Sequence, residues 1–553
     1  MARVSAVTAA DPGLEVPQEL GPPPPAPRAR DRWPGARPLV WAPRARTVEV
    51  VLPHADGTQD RRPMRLVGAH EPGYWRADQE LDDGTDYYFS VDHAAPVPDP
   101  CSPHLPGGLT GPSRVLGRDF GWTDHDWHGR DLSRAPLLHV DVATFTPAGT
   151  LDAAAQLLDD VAATGVAGVE LSPVSAFDPA RGPAAGVRLF AVHGPYGGPQ
   201  ALQRFVDAAH GAGLAVVLDL PHRWAVADDL GLHAFGPYAV GSRIGPRTGA
   251  RPGPAGTDSP RINLDGAGSR GPRDFLVADA ERWLCDFHVD GLLLDIEALV
   301  DRSPVPFLTE LGERVHALSE RLGRPLTLLT DGPGRSDRLI TVVHGILGAP
   351  GDAGRVEDLH RLAQLVFPAA PAWRPPSHRR ARRAAQRAAS VLVEDLTRLP
   401  AAARAVPWSH DTVRPAPTTD DDRACLLTFA LLAGTPPVLD TEHVPVGLDD
   451  PASRRLVAWT GALVDLRPEV TAELDVEVEI HTEGEVLLCR RGSAAIALAT
   501  GASPAVLDLG ALPSHLGPWR PVAAWDPDGV RHEDGRLTLP PRAPVVLQAS
   551  DRA

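Results

Sequence analysis

A chain of 553 residues is too long for one hydrophobic core, so two or three domains are expected. Its net charge of −17 argues against nucleic acid or an anionic membrane as the main partner. The sequence contains arginine but no lysine, which excludes Schiff-base lysine chemistry and a P-loop lysine. The cysteines, Cys101, Cys285, Cys425 and Cys489, are far apart, so neither a zinc site nor a disulfide framework is expected. No apolar leader opens the chain and no segment reaches about 18 apolar residues, so a cytoplasmic protein is the expectation.

Residues 1–34 include "GPPPPAPRARDRWPG", too rich in Pro and Arg to build a core, and read as a disordered tail. From "LVWAPRARTVEVVL" to "DDGTDYYFSVD", short alternating runs broken by turn residues predict an N-terminal β-sandwich over 35–95. A Pro- and Gly-rich linker and cap follows over 96–134.

An α/β rhythm then occupies 135–460. The strands "LLHVDVATF", "VAGVELSP", "LAVVLDLP", "GLLLDIEAL" and "LTLLTD" alternate with the amphipathic helices "TLDAAAQLLDDVAATG", "GPQALQRFVDAAHGAG", "PRDFLVADAERWLCDFHV" and "VPFLTELGERVHALSERLG". "AVPWSHD", the helix "DRACLLTFALLAG" and "PPVLDTE" continue it, and an eighth strand is expected near "VVHGILGAP". Apolar strands alternating with helices predict a parallel sheet covered on its faces, and eight of them a (β/α)₈ TIM barrel. The basic run "SHRRARRAAQR" reads as a solvated helix face. Residues 461–553 read as a C-terminal antiparallel β-domain.

Active sites of such barrels lie at the C-terminal ends of the strands. Four strands are predicted to end on an acid, at Asp219, Asp295, Asp331 and Asp411. Any one of them can be a plain strand terminator; four on one rim are less easily accidental. Two facing carboxylates are what glycoside hydrolysis requires. "GLLLD" does not read as a nucleotide or metal motif, and "SHDTV" cannot form a Ser-His-Asp triad by adjacency alone.

The stretches "VWAPRARTVEVVL", "PVPDPCSPHLPGGLTGPSRV", "GVELSPVSAF", "LFAVHGPYGGPQALQRFVDAAHGAGLAVVLD", "FHVDGLLLDIEALVDRS" and "PWSHDTV" carry a resemblance to the α-amylase clan of glycoside hydrolases. Within the clan, the Pro-Asp-Pro linker and "AVHGPYGGP" resemble the maltooligosyltrehalose trehalohydrolase branch, across roughly residues 38–545. The resemblance implies a retaining, cofactor-free hydrolase that releases trehalose from a maltooligosyl chain in trehalose biosynthesis, with a possible functional link to a maltooligosyltrehalose synthase. It implies Asp295 as nucleophile, Asp331 as general acid, and His410 with Asp411 as the pair gripping sugar hydroxyls, Asp411 stabilising the transition state. Asp219 falls on the first acid of the third-strand motif. Tyr196 in "PYGGP" and Trp224 are further candidates to shape the sugar cleft, with structural use the alternative; Trp373 and Trp408 read the same way.

Several positions depart from that pattern. Leu293 stands where the family has an Arg two residues before the nucleophile, on the same side of the strand as Asp295. Asp331 replaces the usual Glu, and a shift of about 1 Å in a catalytic group can cost about a hundredfold. Arg223 and Trp224 replace an Asn-His pair, Ala184 replaces a stacking Tyr, and Ser409 replaces an Asn. The expectation is therefore an Asp295 without its usual cation, with Arg223 as one candidate to fill the gap. The alternative to an enzyme is an α-glucan-binding relative with impaired catalysis.

Overall fold

A computed structural model of the chain describes residues 37–67, 73–117, 120–132, 136–227, 230–241, 260–295, 298–299, 301–330, 419–432, 438–440, 444–470, 479–483, 485–513 and 518–549. The expected tail at 1–34, the strand near "VVHGILGAP", the basic run within 350–405, and "AVPWSHD" lie outside the described residues.

The centre is a six-stranded sheet in the order Thr327–Thr330, Gly291–Leu294, Ala215–Leu220, Gly168–Leu171, Leu137–Val140, Val438–Asp440. Every neighbouring pair is parallel. Parallel neighbours need crossovers, supplied by the helices Gly198–Gly211, Arg270–Asp286 and Phe307–Leu322. The helix Phe307–Leu322 buries Leu308, Leu311, Val315 and Leu318 at helical spacing and ends on the left-handed Gly323 (φ 67°). The single helix expected over 150–165 is instead two, Leu151–Ala155 and Leu158–Ala163. Between them the amides of Gln156 and Leu157 donate three residues back, to Ala153 and Ala154, which tightens the turn and breaks the α-helical ladder.

Strand alternation sorts the side chains into two layers. Val216, Leu218, Leu292, Leu294 and Leu328 join the core under the crossover helices. Leu137, Ala215, Val217, Leu293 and Leu329 form a separate apolar cluster on the other, inner face. Asp219 and Asp295 continue the parity of Val217 and Leu293, so both belong to the inner face.

At the N-terminal side, Leu39–Trp41, Val48–Pro53, Gln59–Leu66, Tyr74–Ala77, Asp86–Val91 and Ser113–Arg114 form one connected antiparallel ladder. The last strand comes from the expected linker, so that sheet extends past the boundary drawn at 95. A bidentate Arg114–Asp86 pair, at 2.7 and 2.8 Å, holds it there. The sheet meets the central unit through Trp41, which lies edge-on to Tyr238 with ring centroids 5.4 Å apart.

Towards the C-terminus, the helix Pro451–Val470 crosses the boundary expected at 460. Its Trp459 is buried, donates to Thr428 Oγ1 at 3.1 Å, and faces Trp525 at 5.9 Å. Antiparallel sheets of five and three strands follow, built from residues between Glu479 and Ala549.

Candidate active site

Asp295 follows the strand Gly291–Leu294 directly and is buried. Below it on the inner face stands Leu293, packed with Val217 and Leu329. A carboxylate there needs a compensating charge, because an unpaired buried ion loses its hydration without return.

The charge comes from the neighbouring strand's connection. Ala215–Leu220 runs parallel to Gly291–Leu294, with Asp219 opposite Leu293 and Leu220 opposite Leu294. Pro221 then turns the chain (φ −81°, ψ 56°) into a short 3₁₀ turn, His222–Trp224. From that turn Arg223 Nη2 donates to Asp295 Oδ1 at 2.6 Å, and its Nε donates to Oδ2. Of the two expectations, an Asp295 without a cation and one served by Arg223, the second describes the contact: Arg223 supplies a guanidinium from the adjacent turn. The pair is asymmetric, with the Arg223 side chain 43% exposed and that of Asp295 6% exposed. The cation therefore stands on the open side.

Asp219 lies within its strand, half-buried, and not at its end as expected. His222 is buried beside the pair. Burial pushes its imidazole down to about 4, with the Asp295 charge opposing, so it is neutral at pH 7. Trp224 is partly buried against the main core. Ala184 is exposed, in the 3₁₀ turn Pro183–Ala185, which packs on the turn carrying Arg223. Tyr196 is buried, 4.7 Å from the His193 ring, which stacks on Phe177 at 3.9 Å. Burial, then the charge of Asp141, pushes the Tyr196 hydroxyl up, so it stays protonated at neutral pH. Tyr196 reaches this cluster through Gly197 (φ 109°), where a Cβ would lie 2.5 Å from that of Ala201. Asp331, His410, Asp411, Ser409, Trp373 and Trp408 lie outside the described residues.

One polar group of the inner face was not anticipated. His139 and Glu170 are register partners on adjacent strands. His139 Nδ1 lies 2.6 Å from Glu170 Oε2, and its Nε2 lies 3.2 Å from Ser172 Oγ. The signal was present as a His in "LLHV" and a Glu in "GVEL", each at a position where the apolar pattern is interrupted. What the letters lacked was that the two strands are neighbours in this register.

The same chain is similar in sequence to several named proteins. It is 41% identical over 311 residues to the malto-oligosyltrehalose trehalohydrolase of Arthrobacter ramosus, covering 54% of this chain and 50% of that protein. Proteins of the same name in Rhizobium sp. and Brevibacterium helvolum are 38% and 37% identical to this chain. The trehalohydrolase of Mycobacterium tuberculosis is 37% identical over 309 residues, covering 55% and 50%. The chain thus spans about half the length of the curated relatives it matches. No protein-family model matches it. In fold it is similar to a crystal structure of a putative α-amylase from Salmonella typhimurium, with TM-score 0.66 and 20% identity over 93% of this chain and 97% of that one. It is also similar to the group B Streptococcus pullulanase SAP in complex with maltotetraose, with TM-score 0.63 and 14% identity over 93% and 86%. The likeness to these two structures is one of fold.

Proposed function

We propose that this chain is a retaining glycoside hydrolase that releases trehalose from maltooligosyltrehalose. The observation that carries the reading is the buried carboxylate of Asp295 at the C-terminal end of a parallel strand, clamped by Arg223, in a chain whose relatives are trehalohydrolases. The proposed framework is a (β/α)₈ barrel with an N-terminal β-sandwich and a C-terminal antiparallel β-domain. The sheet and helix limits above favour domain boundaries near residues 115 and 470 over those at 95 and 460.

In the proposed mechanism, Asp295 attacks the anomeric carbon next to the terminal trehalose unit. Asp331 protonates the departing glycosidic oxygen, and then deprotonates the water that cleaves the glycosyl ester. Asp411 stabilises the oxocarbenium-like centre, while His410, Asp219, Tyr196 and Trp224 shape the sugar site. We place the enzyme in the cytoplasm, in trehalose biosynthesis, acting on the product of a maltooligosyltrehalose synthase. Among the described residues, no helix is long and apolar enough to cross a membrane. The Arg223–Asp295 pair removes one of the losses on which the glucan-binding alternative rested.

The test is an assay of purified protein on maltotriosyltrehalose, with Asp295→Asn as control. Trehalose should be released by the unmodified chain and not by the variant. Binding of the substrate with no trehalose release would instead favour the glucan-binding reading.

A further inference from the structure

We infer that Arg223 is the positioning residue of Asp295: its guanidinium, delivered from the turn after the neighbouring strand, fixes the carboxylate in the orientation from which it attacks. The inference deepens the proposed function and rests on Asp295 being the nucleophile.

The geometry supports it in three ways. First, the contact is a fork. Nε meets Oδ2 and Nη2 meets Oδ1, so the plane of the carboxylate is set by the plane of the guanidinium. A single donor would leave the carboxylate free to rotate.

Second, the fork leaves the nucleophile competent. An ionised carboxylate offers about four lone-pair sites, and two parallel N–H bonds take one on each oxygen. Each oxygen keeps a lone pair for carbon.

Third, the base of Arg223 is anchored while its tip is open. His222, the preceding residue, is buried, and the turn packs against the turn Pro183–Ala185 and the strand Arg261–Ile262. The side chain itself is 43% exposed, so a sugar ring reaching Asp295 enters past the cation.

In the step this serves, an Asp295 oxygen bonds to the anomeric carbon. The bond to the leaving group breaks, and that group departs with the electron pair. Water then displaces the carboxylate, which returns ionised, and the water's proton passes to the general base.

The test uses α-maltotriosyl fluoride, from which fluoride leaves without needing a proton from an acid. The readout therefore depends on Asp295 and Arg223 without requiring the acid role of Asp331. Fluoride release is measured for the unmodified chain, Asp295→Asn, Arg223→Ala and Arg223→Lys, each checked for folding by thermal unfolding. Trehalose release is measured in parallel.

Removing one preorganised donor typically lowers kcat by about 10²–10³. Arg223→Ala should lose about a hundredfold in kcat with a change in KM below about threefold, and Arg223→Lys should fall between it and the unmodified chain. Added guanidinium should restore Arg223→Ala by about tenfold and leave Asp295→Asn inactive.

A loss confined to KM would overturn the inference, as would a full rate in Arg223→Ala or a loss that guanidinium cannot rescue. If the unmodified chain releases fluoride but not trehalose, the substrate reading fails and the variants still decide the role of Arg223. If it releases neither, the nucleophile assignment and this inference fall together.

Discussion

His210 Nε2 lies 2.9 Å from Asp290 Oδ2, and both side chains are fully buried. The amide of Val216 donates to the same oxygen at 2.9 Å. The other oxygen accepts from the Trp127 indole at 2.8 Å and from Arg324 at 2.6 Å. The strand Gly291–Leu294 thus has a carboxylate at each end. Asp290 is enclosed by donors, whereas Asp295 is approached by one partly exposed arginine.

That contrast separates stability from chemistry. Asp290→Ala removes the carboxylate shared by Arg324 and His210, leaving His210 with Asp124 and Arg324 with the Leu284 and Val289 carbonyls alone, and should cost about 3 kcal/mol. Asp295→Asn leaves Arg223 able to turn towards water and should cost less than about half of that. Urea unfolding of the two variants checks the difference; equal losses would contradict the reading of the two ends.

Placing a cation at residue 293 should do harm. Leu293 lies among Leu132, Leu137, Val217 and Leu329, and Asp295 is already paired. Leu293→Arg should therefore destabilise by about 1–3 kcal/mol, since a longer, charged side chain enters a packed apolar layer with Asp219 as its nearest carboxylate. Adding Arg223→Ala vacates Asp295 and should reduce that loss by about 1 kcal/mol or more through coupling of the two sites. Strictly additive losses would show that residue 293 does not communicate with Asp295.

His222 makes stability depend on pH with a definite sign. Its folded-state pKa is near 4, below the value of about 6.5 expected in an unfolded chain. Below about pH 6.5 the unfolded chain takes up a proton that the folded chain refuses. Stability should therefore fall as pH drops from about 6.5 towards 4, by up to roughly 3 kcal/mol, and this contribution should be flat above pH 7. Burial pushes Asp279 up to about 7 and Asp99 up to about 6, which act in the opposite direction. The measurement is accordingly the difference in unfolding midpoint between the unmodified chain and His222→Gln at each pH. A difference that does not change between pH 7 and pH 4.5 would refute the assignment.

The junction with the N-terminal sheet is equally specific. A Cβ at Gly271 would lie 2.3 Å from the Trp41 ring, and one at Gly236 would lie 2.8 Å from it. Gly271→Ala should lower the unfolding midpoint and cost about 1–3 kcal/mol, because an indole packed on two backbones has nowhere to retreat. Trp41→Leu in that background should recover part of the loss. Gly57, with nothing within 4 Å, is the comparison for space alone; its φ of 84° adds backbone strain to any substitution there.

The alternation of strands and helices was legible because strands covered on both faces read as apolar runs. Asp295 was legible because a charge after Leu292, Leu293 and Leu294 breaks such a run. Arg223 was only one candidate for its partner, since the letters do not show that two residues 72 positions apart meet through the parallel register of their strands. The same holds for His139 and Glu170, 31 positions apart. The domain limits at 95 and 460 followed composition, whereas Arg114 and Trp459 are placed by partners that composition does not reveal.

Tyr87 donates to Asp99 Oδ2 at 2.7 Å within a fully buried setting, and the amide of Cys101 donates to Oδ1 at 2.8 Å. A Pro-rich passage that looks like a tether is therefore fastened at its first acid. Limited proteolysis should find little purchase between Val97 and Cys101, and an excised sheet ending at residue 95 would carry a phenol facing the void left by its carboxylate. Moving this sheet onto another framework would have to move the passage with it, as far as the Arg114 that pairs with Asp86.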